Sequence, residues 1–289
     1  MVHNYYSIYF SYFLLICATK KEIFFTQIKD KLQNKLDSIG GIDKEGCFVK
    51  LSCRSAKDVT LSGPRFEQRY KEISEREASK LENLTEHEIM NLKIQWLYKA
   101  HTQAMRIYTA EEALSLLLQS RRIYWDLTFD LKFPEKFSTH IIIRKWENIP
   151  LESEYRIFVK SGKVTAISQY FTQIYFPAIS QQKDVIKNEI LAFWEKIRPL
   201  LMAPPINLSE FVIDFAWIAN ESTGDKKYVV LELNPLNVST GAALFNWESE
   251  KDSDIIDGLL PMEFRINEKS VAHFQRNKVH PDWVPYIYQ

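Results

Sequence analysis

Glycine is scarce in this sequence, only 8 of 289 residues. Neither a Walker-type nor a dinucleotide-type glycine pattern is present, so any loop that holds phosphate must do so without a glycine-rich cradle. Cysteine is scarcer still. Cys17, Cys47 and Cys53 form an odd, sparse set with no CxxC pair. That excludes a disulfide framework and reads as a reducing compartment, so a cytoplasmic protein is expected. The six histidines are scattered, with no HxxxH and no His/Cys cluster, which argues against a zinc site. Net charge is missing too. Thirty-seven basic residues balance 37 acidic ones, which argues against general affinity for nucleic acid or anionic membrane. Long apolar runs are absent except at residues 5–18, YYSIYFSYFLLICA. No positive region precedes that run, it is too short to span a bilayer, and Ile16, Cys17 and Ala18 make a mediocre cleavage site. It reads as a core strand or an ill-defined start of the chain rather than a secretion signal. What is plentiful is apolar and aromatic content, 46% and 13%. These suffice for one large or two modest domains and exclude a disordered chain.

The most informative stretch runs from 211 to 237, FVIDFAWIANESTGDKKYVVLELNPLN. Two strands separated by turn-forming residues are expected. The first is apolar except for Asp214, the second except for Glu232 and Asn234. Residues two apart on a strand share a face, so Glu232 and Asn234 point the same way, and Asp214 can join them if the strands pair. Carboxylates and an amide on one buried face are costly without a cation, and Mg²⁺ takes oxygen ligands of this kind. A single structural carboxylate on each strand, paired with Lys or Arg, fits the periodicity equally well. Pro235, which ends the strand where these residues sit, favours the mouth of a site.

Elsewhere the pattern alternates between helices and short strands. An amphipathic helix is expected over residues 20–39, from Phe24, Ile28, Leu32 and Leu36. A strand, CFVKL, follows and carries Lys50 into a small polar loop with Ser52, Arg54, Lys57 and Asp58. Such a loop suits a polyphosphate, and equally a solvated surface. Residues 64–108 are charge-rich and helical, a helical insertion, hairpin or lid. Thr85 with Glu88 and Thr109 with Glu112 read as capping boxes that open helices, the latter continuing to about residue 122. The triple isoleucine before Arg144, Lys145 and Trp146 is a buried strand. Residues 154–169 form a hairpin around Ser161-Gly162. Arg156, embedded in that hairpin, is expected to face an anion, with an ion pair to Glu154 or Asp214 as the structural alternative. A helix over residues 183–198 should stop before Pro199. The proline-containing tail after 265 is expected to wrap the surface.

Laid in order, these pieces resemble the ATP-grasp fold and, more narrowly, the cell division cycle protein 123 family, a divergent clade of it. The matching segments are FVKLSCRSAKD (48–58), IIIRKW (141–146), EYRIFVKSGKVTAISQ (154–169), FVIDFAWI (211–218), LELNPL (231–236), LFNWE (244–248) and PMEFR (261–265). They cover residues 23–265, with 1–22 an uncertain apolar segment, 64–108 an insertion and 266–289 a tail. The resemblance implies an α+β fold of two lobes with ATP and Mg²⁺ between them. It would place Lys50, Ser52, Lys57 and Asp58 around the nucleotide's phosphates and first lobe. The backbone of Arg144, Lys145 and Trp146 would serve as adenine hinge, with Arg156 near the phosphates and Asp214, Glu232 and Asn234 on the metal. It also implies an assembly chaperone of eukaryotic translation initiation factor 2 that binds the gamma subunit. Glu232 stands where the family usually has aspartate, Tyr170 where it has arginine, and Gly241-Ala242 where it has Asp-Ser. An ATP-grasp ligase that forms an acylphosphate and then an amide is the alternative. An interaction protein that keeps the fold without a nucleotide is a third reading.

Overall fold

The computed structural model describes residues 6–9, 21–39, 45–133, 135, 138–219, 224–269 and 279–288. The fold is mixed α+β, and the chain divides into two compact units. The first comprises Met1–Glu82, Trp96–Glu147 and His280–Gln289; the second comprises Asn83–Gln95 and Asn148–Val279.

The first unit is built on a four-stranded antiparallel sheet. Its elements are β1 (Tyr6–Tyr9), α1 (Lys21–Ser38), β2 (Cys47–Leu51), α2 (Pro64–Glu77), α3 (Glu86–Ala104), β3 (Arg106–Ile107), α4 (Ala110–Gln119), α5 (Arg121–Asp130) and β4 (His140–Lys145). The strand order is β1-β4-β2-β3. The apolar run at the N-terminus supplies β1, while its residues 10–18, including Cys17, lie outside the described residues, as do the glycines at 40 and 41. Strand alternation puts Cys47, Val49, Leu51, Ile107, Ile141 and Ile143 on one face, all nearly inaccessible. Against that face pack Ile28, Leu32 and Leu36 of α1 and Leu114, Leu116 and Leu117 of α4. Each fully buried aliphatic side chain is worth roughly 1.5–3 kcal/mol relative to an exposed one. α2 belongs to this unit, and α3 is shared, its residues from Trp96 onward falling here.

Both capping boxes form. Thr109 accepts from the Glu112 backbone N–H while the Glu112 carboxylate accepts from the Thr109 N–H, and Thr85 and Glu88 do the same. The single helix expected from residue 113 to about 122 is instead two, α4 and α5. Ser120 leaves helical geometry and its hydroxyl accepts from the Ile123 N–H, so one residue ends the first helix and caps the second.

The second unit carries β5 (Glu154–Lys160), β6 (Lys163–Gln169), α6 (Pro177–Gln181), α7 (Lys183–Met202), β7 (Phe211–Ala219), β8 (Lys226–Asn234), α8 (Glu250–Ile256) and β9 (Glu263–Arg265). Its sheet has the order β8-β7-β5-β6-β9, antiparallel except for the β6–β9 pair. The β5–β6 hairpin closes through Ser161 and Gly162, both at positive φ (50° and 71°), the primed turn that matches strand twist. β7 and β8 pair as expected, residues 220–223 of their connection lying outside the described residues. α7 does not stop at residue 198. Pro199 lies inside its last turn and the helix runs on to Met202, capped by the Ala203 N–H on the Pro199 carbonyl. Near a C-terminus the missing N–H costs one hydrogen bond and leaves the backbone angle of proline compatible with helix.

The tail after residue 265 does more than wrap a surface. The short segment before and within α9 (Val284–Tyr288) is part of the first unit, and Trp283 and Ile287 are buried. The Trp283 ring stacks on Phe66 at 5.9 Å, and its indole N–H donates to the Leu61 carbonyl at 2.6 Å. Among the described residues no helix is long and apolar enough to cross a membrane.

Candidate functional site

The two carboxylates and the carboxamide singled out in the sequence converge on the second sheet. Asp214 of β7 sits directly across from Glu232 of β8, and Val212 across from Asn234. Strand alternation therefore puts Asp214, Glu232 and Asn234 on one face. A bulge after Asp214 breaks the register there, a common device where a strand aims side chains at a site. Asp214 is 3% exposed, and the Asn234 amide nitrogen lies 3.4 Å from its Oδ2. The donors are two carboxylates and a carboxamide, an oxygen set of the sort Mg²⁺ accepts.

The anion that Arg156 faces is Asp214, the structural alternative named above. β5 pairs with β7 so that Arg156 is directly opposite Asp214. Its Nε and Nη2 donate to the two carboxylate oxygens at 2.8 Å each, a bidentate fork. Its Nη1 donates to the Gly241 carbonyl at 2.7 Å, and the guanidinium lies 5.1 Å from the centre of the Tyr170 ring. Burial works against its charge, but Asp214 and then Tyr170 and Glu232 outweigh it and hold the guanidinium more firmly protonated than usual. The sequence marked Gly241 and Tyr170 only as departures from the family pattern, not as partners of Arg156. Their link to Arg156 spans turns and strands with no periodicity to announce it. The motif segments LFNWE and PMEFR meet nearby. Arg265 forks onto Asp252 at 2.7 and 2.9 Å, bonds Glu263, and lies 4.0 Å over the Phe245 ring.

The other expected residues lie on the first unit. Lys50 lies on the half-exposed face of β2, opposite the core face. Ser52 bridges to the start of β4, its N–H donating to the His140 carbonyl and its hydroxyl accepting from the His140 N–H. The Lys57 carbonyl accepts from the Thr60 hydroxyl at 3.4 Å. Asp58 accepts from the Ser120 hydroxyl at 2.6 Å and the Arg122 N–H at 3.2 Å, which fixes the first turn of α5. Arg54 pairs with Asp126 of α5. Arg144 lies 5.0 Å over the Phe48 ring, Lys145 is exposed at the strand end, and Trp146 is buried with its N–H on the Gly46 carbonyl. Asp214, Glu232 and Asn234 thus share one face of the second sheet with Arg156, whereas Lys50 and Arg144 lie on the first sheet and Ser52, Lys57 and Asp58 in the loop after β2.

Comparison with known proteins gives these residues a context. The family model described as D123 matches residues 93–286. A translation initiation factor eIF2 assembly protein of Lodderomyces elongisporus is 26% identical over 151 residues, 52% of this chain and 38% of that protein. Cell division cycle protein 123 of Candida glabrata is 29% identical over 144 residues, 49% of this chain and again 38% of the relative. The chain thus spans well under half the length of these curated relatives. The solved structure of Cdc123 from Schizosaccharomyces pombe superposes with a TM-score of 0.56 at 19% identity, covering 83% of this chain and 77% of that one, a likeness of fold. With the family model matched over well more than half of its length, the chain belongs to the D123 family, the cell division cycle protein 123 family that its motifs resemble.

Proposed function

We propose that this protein assists the assembly of translation initiation factor 2, as the names of its relatives say of them, and that it binds the gamma subunit with ATP and Mg²⁺ as ligands. The family match over residues 93–286 carries this reading. Support for the ligands comes from the shared face of Asp214, Glu232 and Asn234 and from the ATP-grasp-like order of the motifs. Lys50, Ser52, Lys57 and Asp58 and the backbone of Arg144, Lys145 and Trp146 are assigned to the nucleotide, with Arg156 given to Asp214. Asp214, Glu232 and Asn234 are assigned to the metal.

The oxygen donors of the trio fit a hard divalent cation, and Glu232 in place of aspartate keeps that chemistry with one more methylene of reach. A bound Mg²⁺ would supply charge neutralisation for adjacent phosphate oxygens. The protein's own part is to hold the donors aligned. Arg156 does this through Asp214, and the Pro235 carbonyl, accepting from Thr240 at 2.6 Å, fixes the loop after Asn234.

Two measurements test the reading. Full-length chain mixed with purified gamma subunit is expected to co-elute on gel filtration; separate elution at micromolar concentrations would remove the partner assignment. Calorimetry with ATP and Mg²⁺ is expected to show binding that Glu232→Gln with Asn234→Ala weakens about tenfold or more, the loss of charged-group contacts. Equal binding by both proteins would remove the metal assignment.

A further inference from the structure

The two sides of α5 differ sharply. Ile123 and Leu127, one helical turn apart, are buried in the core of the first unit. Tyr124, Trp125 and Phe129 lie off that side and are 60%, 63% and 62% exposed. The turn after the helix carries Phe133, 45% exposed, whose ring lies 5.7 Å from that of Phe129. Tyr124 and Trp125 meet edge to face at 5.8 Å. Trp125 and Phe129 are four apart, so they form one stripe along the helix. Four large aromatic side chains within residues 124–133 are thus left to water, and grouped apolar surface of this kind marks an interaction site.

The helix beneath them is firmly held. Arg54 pairs with Asp126, Asp58 accepts from the Ser120 hydroxyl and the Arg122 N–H, and the Asp130 carboxylate accepts from Thr139. Both carboxylates of α5 are therefore engaged within the unit. The cations are not. Arg121, Arg122 and Lys132 are exposed, and among the described residues none of them has an ion-pair partner. The two arginines stand in the first turn, where the helix dipole disfavours positive charge and no acidic residue of that turn offsets it. Their charge is open to an acidic group from outside.

We propose that this outer face of α5, aromatic at its centre and cationic at both ends, is a docking surface for an acidic segment of a protein partner that presents an apolar stripe, in the manner of an amphipathic helix. The aromatic side chains are the anchors, and the unpaired cations select the sign of the partner. A second copy of the chain would set Arg121, Arg122 and Lys132 against like charges, because α5 has no free carboxylate to offer. Nucleic acid and anionic membrane call for a broader basic surface than a chain with 37 basic and 37 acidic residues provides. The proposal goes beyond the ligand and partner assignments above and rests on neither. Sequence reading carried a single helix to about residue 122 and so did not reach this face.

The test is fluorescence anisotropy on the full chain with a labelled amphipathic helical peptide, leucine along one face and glutamate over the rest. Binding is expected, and a twin with lysine for glutamate should not bind. Raising salt from about 0.05 to about 0.5 M should weaken the complex several-fold. Trp125→Ser with Phe129→Ser should weaken it about tenfold or more, the loss of interface anchors. Both side chains are more than half exposed, so the urea midpoint should stay close to that of the wild type. Arg121→Gln with Arg122→Gln should cost about three- to tenfold and remove most of the salt dependence. If the serine variant does not fold by circular dichroism, the glutamine variant decides. Absence of binding by the wild type, equal binding of the lysine twin, or affinity unchanged in either folded variant would overturn the proposal. So would tighter binding of oligo-dT or of phosphatidylserine vesicles, which would make the face a polyanion site. A wild-type dimer on gel filtration that the serine variant lacks would overturn it too, by giving the face to a second copy.

Discussion

Arg156 and Asp214 form the most consequential residue pair in the second unit. Their side chains are only 11% and 4% exposed, so neither charge has water to fall back on. Removing one partner leaves the other buried and uncompensated, at a cost of about 3–5 kcal/mol. Arg156→Ala is therefore expected to destabilise the protein by that amount in urea denaturation. Adding Asp214→Asn to it should cost much less than the sum of the two single changes. A loss under about 1 kcal/mol for Arg156→Ala would show that the pair does not hold this region. Sequence reading reached both residues and put them on neighbouring strands. It left open whether Arg156 meets a ligand's anion or the protein's own, because register decides that and a one-residue slip would turn the side chain to the other face.

Among elements, α2 and α3 are joined by one buried acid. Glu77 accepts from Lys80 at 3.0 Å, Lys99 at 3.1 Å and the Trp96 indole at 3.1 Å. Burial alone would push its carboxyl up, but the hydrogen bonds from Lys80, Lys99 and Trp96 outweigh burial and bring it down to about 2. A carboxyl whose pKa is depressed on folding stabilises the fold above its unfolded value and loses that contribution as pH falls. Stability should thus decline between pH of about 4.5 and about 2, by an order of 1–3 kcal/mol, and Glu77→Gln should flatten that part of the profile. An unchanged profile in the Gln variant would assign the acid sensitivity to other groups. His101 acts in the window above. Burial holds its imidazole at about 4, against the opposing hydrogen bond to Thr60, so the fold favours the neutral ring. Its contribution is full above pH of about 6.5 and is lost toward 4. Replacement by glutamine should remove that slope in thermal melts across those pH values.

The same scale shows how far local signals reach. Thr85, Glu88, Thr109 and Glu112 announced two helix starts because a capping box is complete within four residues. Ser120 announced nothing. Its role as the break between α4 and α5 depends on Asp58, 62 positions earlier, accepting from its hydroxyl. Pro199 misled for a related reason, since its cost depends on where in the helix it falls.

For the whole molecule, the C-terminal segment closes the first unit. Trp283 is 2% exposed and contacts Phe66, Tyr98 and His101. Trp283→Ala is expected to cost about 3–5 kcal/mol by leaving a cavity and a bare carbonyl at Leu61, read as a lower urea midpoint at unchanged slope. A cost below about 1 kcal/mol would mean that the segment is dispensable to the unit. Ligand linkage acts on the same quantity. ATP with Mg²⁺, the ligands proposed above, at about a hundred times the dissociation constant should add roughly 2.7 kcal/mol and raise Tm by several degrees, and a tenfold weakening in Glu232→Gln with Asn234→Ala should leave about half of the shift.

The sequence by itself determined the α+β class, the strand carrying Lys50, both hairpins, the capping boxes and the family, because periodicity, turn residues and motif order are local or linear properties. Only the tertiary structure decided that Arg156 forks onto Asp214, that Arg54 pairs with Asp126 of α5, and that the Trp283 indole bonds to a carbonyl 222 positions earlier. Those contacts follow from strand register and the packing of distant segments. Their free energy appears only once the chain has closed on itself, and no stretch of neighbouring residues encodes it alone.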